Sequence, residues 1–289
     1  MENKTLEKSF TISGFSDEID ESIKVQFQTL NELGIQYFEV RGVNGKNVAD
    51  ISAEELQALQ NDMRAYGIQV SSIGSPIGKV LITEDFEPHF EKFKWVVHVA
   101  KTLGTKYIRM FSFYRPEGTA WEVFRGQILE NLSRMIAYAE EQDVILLHEN
   151  EKEIYGDTAV RCLDLMRELY GPHFKAVFDP ANFVQCGVDV KEAYEMLAPY
   201  IVYMHIKDAR ADGSVTPAGM GIGQVPYVLR ALKQKGYQGF LSLEPHLGSF
   251  AGLEHLETDD AMLKLEKSSK RTFMIAHNAL KGILAEIEK

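Results

Sequence analysis

Long apolar runs, a signal segment and closely spaced cysteines are all missing from this sequence. No apolar stretch reaches the ~18 residues that suggest a membrane span. The first ten residues are polar and lack the apolar core of a signal peptide. Cys162 and Cys186 form no CxxC pair, so we interpret them as ordinary residues of a reduced protein rather than a disulfide or a zinc site. These absences predict a cytoplasmic protein that does not bind membranes.

Basic residues are also in short supply. The chain has 31 Lys and Arg against 42 Asp and Glu, which gives a formal net charge of −11. This balance disfavours nonspecific binding to nucleic acid or to an anionic membrane surface. It does not exclude a local basic pocket for an anionic sugar, and we expect a small-molecule sugar or polyol as the partner. A homo-oligomer is left open.

What is present is a repeated unit of a helix, a glycine and a short apolar strand. Gly34, Gly67 and Gly104 each end a segment with apolar residues at helical spacing, and Ser52 and Glu55 have the spacing of a capping box. The unit predicts eight strands, at 10–13, 37–40, 70–73, 107–110, 144–147, 176–178, 201–204 and 240–243.

Eight strands alternating with helices predict an α/β fold, and specifically a (β/α)8 TIM barrel. Such a barrel needs ~250 residues, so the 289 residues suit one domain over 1–289 with a barrel core at about 10–288. Two ordinary domains would fit the length equally well, but no low-complexity linker is present. A doubly wound sheet is the alternative fold, although no glycine-rich dinucleotide turn follows the first strand.

Four consecutive predicted strands end in side chains that can bind a metal: Glu149, Asp179, His205 and Glu244. A single carboxylate at a strand end is more often a helix N-cap or a solvated loop residue. Four in succession, each after a buried apolar run, are hard to obtain by chance, because charge there is costly unless it is paired or bound to a cation. In a barrel these four ends meet at one mouth, so the sequence predicts one divalent metal site.

The segments around these residues resemble a known family. They are His-Glu-Asn-Glu at 148–151, Phe-Asp-Pro-Ala-Asn at 178–182, His-Ile-Lys-Asp at 205–208 and Leu-Glu-Pro-His at 243–246. In this order they resemble the xylose-isomerase-like TIM-barrel superfamily of sugar phosphate isomerases and epimerases, and are similar to ketose 3-epimerases. The stretches 14–18 and 71–76 are similar to members as well.

The resemblance implies that Glu149, Asp179, His205 and Glu244 bind Mn²⁺ or a similar ion, and that Glu149 and Glu244 also move protons as catalytic residues. One departure concerns the substrate, because the histidine that those epimerases have three residues after the aspartate is Asn182 here. Three carboxylates and one imidazole without a thiolate favour Mn²⁺, Mg²⁺ or Co²⁺, with Zn²⁺ as a further option.

Four residues form the predicted substrate-binding set. Lys207 and His246 share strand parity with His205 and Glu244, while Asn182 and Ser72 lie in the segments that carry the resemblance. His148 alternates with Glu149 and is expected to face the helices.

Three further expectations concern the surroundings of the site. Glu39 and Arg109 lie in apolar strands, where a lone charge is costly, and are predicted to form an ion pair with each other. Glu151 is expected to lie behind the ligands or in solvent. The segments 74–79 and 208–224, the second with Gly219, Gly221 and Gly223 in a loop expected to be flexible, are predicted to flank the pocket mouth.

The predicted function is a metal-dependent isomerase or epimerase that acts on a ketose, sugar acid or related polyol through a metal-stabilised enediolate. An alternative is a metal-dependent dehydratase of the same superfamily, similar to those that act on inososes. An apurinic-site endonuclease is disfavoured because it needs about three zinc ions and more histidines. A non-catalytic sugar-binding protein would not need two glutamates as bases.

Overall fold

The computed structural model describes residues 10–247 and 269–289, and within them eight parallel strands form a nearly closed barrel. The strands β1 to β8 are Thr11–Gly14, Tyr37–Val40, Gln69–Gly74, Tyr107–Met110, Ile145–Glu149, Phe174–Phe178, Ile201–Ile206 and Phe240–Leu243. Hydrogen bonding joins them in the order β1, β8, β7, β6, β5, β4, β3, β2. The two outer members of this order, β1 and β2, contact each other. The predicted TIM barrel is therefore confirmed, with every predicted strand present.

Helices surround the strands on the outside. The helices α1 to α9 are Ile23–Glu32, Ala53–Tyr66, Phe86–Leu103, Arg125–Gln142, Ala159–Leu169, Pro180–Gln185, Val190–Leu197, Val225–Gln234 and Ser269–Ile287. Ser52 and Glu55 form the predicted capping box at the start of α2, and Gly67 ends that helix in the left-handed conformation with φ 68°. Among the described helices, none is long and apolar enough to cross a membrane.

The main core lies between the helices and the outer face of the barrel. Phe27 of α1, for example, packs edge-on against Phe38 of β2 with ring centroids 5.0 Å apart, and both side chains are fully buried. Each large apolar side chain buried in this way contributes roughly 1.5–3 kcal/mol to the free energy of unfolding. Apolar residues at helical spacing pack in this layer against apolar residues at strand spacing. Both spacings are visible in the sequence, so the sequence pattern predicted this core.

A smaller core fills the barrel itself. Leu147, Val177 and Tyr203 form its buried centre. The hydroxyl of Tyr203 lies 2.8 Å from Oγ of Ser71, which lies 2.5 Å from Oγ of Ser13. This layer is uncharged and closes the barrel below the strand ends.

Candidate metal centre

The four predicted metal ligands meet at the C-terminal end of the barrel. Glu149 ends β5, Asp179 follows β6 directly, His205 lies in β7, and Glu244 follows β8 directly. One ligand atom from each lies within 4.8 Å of the others, and all four side chains are buried. Asp179 is also the N-cap of α6, where its side chain accepts a hydrogen bond from the backbone N–H of Asn182. The N-cap and ligand interpretations of Asp179 are thus compatible, since a carboxylate has two oxygens.

Direct contacts tie the ligands together. Nδ1 of His205 lies 2.8 Å from Oε1 of Glu149 and 3.5 Å from Oε2 of Glu244. Nζ of Lys207 lies 3.0 Å from Oδ2 of Asp179 and 3.1 Å from Oε2 of Glu244. Lys207, one of the predicted substrate-binding residues, is therefore in contact with two of the four proposed ligands.

The electrostatics of the cluster fit a bound cation. Burial raises the pKa of Asp179 to about 7, despite the neighbouring ammonium of Lys207 and with Glu244 and Glu149 adding to the rise. Its Oδ2 atom is buried and makes no hydrogen bond of good geometry. Burial would also raise the pKa of Glu149, but His205 and Arg109 outweigh it and lower that pKa to about 2. A divalent ion placed among these oxygens would relieve the crowding of carboxylates that Lys207 relieves only in part.

A second group of charges supports the ligands from behind. Oε1 and Oε2 of Glu39 lie 3.4 and 3.3 Å from Nε2 of His205, and Nη1 of Arg109 donates to Oε2 of Glu149 at 3.0 Å. The prediction that Glu39 and Arg109 pair with each other is therefore wrong. Both are buried as expected, but β3 separates their strands, and each finds its opposite charge in a proposed ligand instead.

Arg41 and Glu18 were missed by the sequence reasoning. Arg41 lies 2.8 Å from Asp17, 3.2 Å from Glu18 and 3.4 Å from Glu244. His246 places Nε2 2.9 Å from Oε1 of Glu244, and with Glu18 and Glu244 it forms a second group whose ligand atoms lie within 4.8 Å of one another. The signal for Arg41 was available, because it follows β2 directly and so occupies the same kind of position as the four ligands.

The remaining predicted residues lie at different depths. Asn182 donates from Nδ2 to the carbonyl of Asn150 at 2.9 Å and to Oε1 of Glu149 at 3.3 Å. Ser72 is fully buried, and its hydroxyl donates to the carbonyl of Ile73 at 3.5 Å. The substrate roles of both residues stay predictions.

His148 lies outside this cluster. Its Nε2 lies 3.0 Å from Oγ of Ser112, and burial lowers its pKa to about 4. It is thus a neutral imidazole that faces away from Glu149, in keeping with the structural role expected of it. Glu151 is buried and pairs with Lys79 at 3.1 Å.

A cavity of about 320 Å³ opens beside the ligands. Its lining includes Glu244 and His246 from the end of β8, Arg109 and Phe111 from the end of β4, and Gly74 and Lys79. The prediction that 74–79 flanks the pocket is confirmed for Gly74, Ser75, Pro76 and Lys79. The segment 208–224 leaves the same end of the barrel, but no residue of it lines this cavity.

The loop after β7 is organised around one carboxylate. Asp208 accepts hydrogen bonds from the backbone N–H groups of Gly219, Gly221 and Gly223, at 2.8 to 3.1 Å. A Cβ at Gly221 would lie 2.3 Å from the carbonyl oxygen of Ala209, so a side chain does not fit there. The glycines therefore allow the loop to fold closely around Asp208, and their N–H groups bind this carboxylate rather than a nucleotide phosphate.

Comparison with known proteins agrees with this geometry. A curated relative, the 3-dehydroshikimate dehydratase of Bacillus anthracis, is 21% identical over 184 residues, which cover 64% of this chain and 65% of the relative. The chain thus spans about two thirds of that relative's length. The solved structure of an IOLI protein with a bound zinc atom superposes with a TM-score of 0.75, at 17% identity and covering 96% of this chain and 99% of that one.

The 3-keto-D-glucoside 4-epimerase of E. coli superposes with a TM-score of 0.69, at 13% identity and covering 96% of this chain and 99% of that one. At these identities the structures show a shared fold. The family model described as the xylose isomerase-like TIM barrel matches residues 27–266, most of the chain. This protein belongs to the xylose isomerase-like TIM-barrel family.

Proposed function

We propose that this protein is a divalent-metal-dependent isomerase or epimerase that acts on a ketose, sugar acid or related polyol. The observation that carries the proposal is the pair of buried glutamates, Glu149 and Glu244, which approach one ligand cluster from two different strands. A site that only bound a sugar would not need two buried bases at this cost in desolvation.

Glu149, Asp179, His205 and Glu244 would hold the ion. This hard donor set supports Mn²⁺, Mg²⁺ or Co²⁺ ahead of Zn²⁺, since no thiolate is present. When bound, such an ion polarises a substrate carbonyl and the neighbouring hydroxyl, which makes the hydrogen on the carbon between them more acidic.

The protein's own residues perform the proton transfer. One glutamate, as a carboxylate, accepts the proton as the carbon–hydrogen bond breaks and the electron pair moves toward the carbonyl. The other glutamate, which starts the cycle as the protonated acid, returns its proton to carbon, and exchange with solvent restores both groups. Return to the opposite face of the same carbon gives an epimer, whereas return to the adjacent carbon gives an aldose–ketose isomer. Each base is held in place, Glu149 by Arg109 and Glu244 by Lys207 and His246.

A dehydratase is the second candidate. It is favoured by the similarity to the 3-dehydroshikimate dehydratase. The first step is the same proton removal, after which a β-hydroxide leaves as water. Lys207 and His246 lie beside Glu244 and are placed to donate the proton to that leaving hydroxide.

The test is deuterium incorporation from D₂O into candidate sugars and sugar acids in the presence of Mn²⁺, followed by NMR. Glu149→Gln and Glu244→Gln, with metal occupancy confirmed, should each lower turnover by about 10²–10⁴-fold. Glu141→Gln, on the exposed face of α4, is the matched control and should exchange at the parent rate. Full turnover by either metal-loaded glutamine variant would refute the two-base mechanism, and a new enone absorbance would establish the dehydratase instead.

A further inference from the structure

One wall of the cavity carries three cations interleaved with aromatic rings. Nζ of Lys79 lies 4.2 Å from the ring centroid of Phe111, and Cζ of Arg109 lies 4.6 Å from the same centroid. Arg109 also lies 5.4 Å from the ring of Phe15, over which Arg41 lies at 4.6 Å. Cation–π attraction to these rings helps to orient the cations, more strongly for the buried arginines than for Lys79, whose side chain is 27% exposed.

The segment that presents Lys79 is rigidly attached to the barrel. Phe111 donates its N–H to the carbonyl of Ile77 at 2.8 Å, and Phe113 donates to the carbonyl of Gly78 at 2.9 Å. The N–H of Gly78 in turn donates to Nε2 of His89 at 2.8 Å. Gly78 has φ +90°, and a Cβ there would lie 2.1 Å from the carbonyl oxygen of Phe111. This close approach requires glycine, so Lys79 follows a segment whose backbone is held against the barrel by hydrogen bonds.

The two arginines of this wall, Arg41 and Arg109, differ in how many carboxylates they contact. Arg41 contacts the carboxylates of Asp17, Glu18 and Glu244. Arg109 donates to a single carboxylate, that of Glu149, and its buried Nε has no hydrogen-bond partner within the described residues.

Arg109 is also within reach of the cavity. Its Nη2 lies 3.3 Å from where a Cβ on the cavity-lining Gly74 would be. A buried guanidinium with unused donors at the wall of a cavity is a site for an acceptor that the protein does not supply.

The positive charge of Arg109 favours an anion as that acceptor. Glu149 is the carboxylate that offsets Arg109, but as a proposed metal ligand it would share its charge with the ion. In the metal-loaded protein Arg109 would then be incompletely compensated. Lys79 lies over the same ring and pairs with Glu151 at 3.1 Å, but an ammonium has three donors, so it can also donate to an added carboxylate. A planar carboxylate matches the guanidinium fork in both charge and shape.

Resting on the proposed function, we propose that the substrate is an acid, whose carboxylate binds to Arg109 with Lys79 contributing charge, while the rest of the molecule extends toward Glu149 and Glu244. This assigns the substrate to the sugar acids or polyol acids rather than to the neutral ketoses. A cavity of about 320 Å³ holds one such small molecule.

The test is calorimetric titration of the Mn²⁺-loaded protein with matched probes: D-glucuronate against D-glucose, and D-galacturonate against D-galactose. Each acid should bind at least about 10-fold more tightly than its neutral counterpart, as expected of one charge-assisted contact. Lys79→Met is made together with Glu151→Gln, so that no buried carboxylate loses its partner. Relative to Glu151→Gln alone, the added Lys79→Met should weaken acid binding about 10-fold and leave neutral binding unchanged, whereas Lys79→Arg should retain the preference for the acid.

Lys106→Met is the matched control. It also removes a lysine paired with a carboxylate, Asp143, but at the opposite end of the barrel, and it should change neither affinity. Equal binding of acid and neutral probes, equal weakening of both by Lys79→Met, or no binding of any acid would overturn the proposal. Tighter binding of D-glucose 6-phosphate than of D-glucuronate would overturn the carboxylate assignment.

The two proposals fail separately in this design. Acid binding with no deuterium exchange in any bound acid would refute the proposed function and leave the acid preference standing. Deuterium exchange in neutral sugars, without any preference for acids, would refute the acid preference and leave the proposed function standing.

Discussion

Two layers inside the same barrel make opposite use of burial. Four strands contribute one residue to each layer, two positions apart: Leu147 and Glu149, Val177 and Asp179, Tyr203 and His205, and Ser242 and Glu244. The eight residues are all buried, and the most exposed of them, Glu244, has 4% of its surface exposed. At ~3.3 Å per residue the layers lie roughly 7 Å apart. The lower layer is uncharged, whereas the upper layer holds three carboxylates and an imidazole.

The contrast separates what the fold needs from what the chemistry needs. The lower layer gains free energy by removing apolar surface from water. The upper layer loses hydration on burial, and the neighbouring cations offset this loss at Glu149 and Glu244, whose pKa values are lowered. They do not offset it at Asp179, whose pKa is still raised to about 7 despite Lys207. A carboxylate kept at such a cost is expected at a functional site. Changes in the upper layer should therefore affect activity, and changes in the lower layer should affect stability.

The largest expected effect is at Asp179. Asp179→Asn keeps the shape and one acceptor but removes the charge, so we expect Mn²⁺ binding to weaken by at least about 100-fold and turnover to fall by more than about 10³-fold. Ser242→Ala, in the layer below, is the control and should leave both within about twofold. Isothermal titration with Mn²⁺ measures the first quantity. Unchanged Mn²⁺ affinity in the asparagine variant would mean that the ligand set is misassigned.

The next effect is expected in the lower layer. Leu147→Ala removes a fully buried side chain from the centre of the barrel and should lower the free energy of unfolding by about 2–5 kcal/mol. The backbone that carries Glu149 remains paired on both sides, so Mn²⁺ affinity should change by less than about threefold. Urea unfolding, with metal titration of the folded variant, checks both values. A large loss of metal affinity without a loss of stability would break the separation of the layers.

The upper layer was predictable from sequence because strand periodicity and chain order determine it. Each ligand follows an apolar run, and in a parallel barrel all such ends meet at one mouth. The same reasoning should have included Arg41, which follows β2 in the same way.

The neighbours around the barrel were less predictable, because periodicity gives the face of a residue but not its partner. Glu39 lies just after a register shift between Phe38 and Glu39 in the pairing of β2 with β3, which the apolar pattern does not reveal. It contacts His205 across the barrel rather than Arg109. The cavity wall depends on Gly78 and on backbone bonds between two loops, which leave no periodic signal.

A smaller effect should appear in the pH dependence of the metal-free protein. The folded-state pKa of Asp179 is raised from 3.8 to about 7, mainly by burial, so between these values the folded protein holds a proton that the unfolded chain releases. This group therefore favours folding at low pH, and its contribution is lost as pH rises through about 7.

Asp179→Asn removes this dependence. Between pH 4 and pH 8 its stability should improve relative to the metal-free parent by on the order of 4 kcal/mol. Unfolding curves of both proteins in EDTA across that range measure the difference, and saturating Mn²⁺ should reverse it in favour of the parent. Parallel pH profiles in EDTA would show that the carboxylate carries no burial penalty.

The smallest effect is the sharpest test of the boundary between the layers, and it is expected at Tyr203. Its hydroxyl bonds to Ser71 in the lower layer, while burial and the nearby carboxylate of Glu39 raise its pKa well above the ordinary value. It is thus polar but uncharged. Tyr203→Phe leaves Ser71 with Ser13 and with the carbonyl of Phe38 as partners, so no buried donor is stranded.

The cost should therefore be only about 1 kcal/mol in the free energy of unfolding, with Mn²⁺ affinity and turnover within about twofold of the parent. Glu39 also contacts His205, so Tyr203 is placed to pass a disturbance from the lower layer to the ligands. If the phenylalanine variant lost Mn²⁺ affinity as Asp179→Asn is expected to, the tyrosine would belong to the metal site. The boundary between the lower layer and the metal-binding layer would then lie below Tyr203 rather than between Tyr203 and His205.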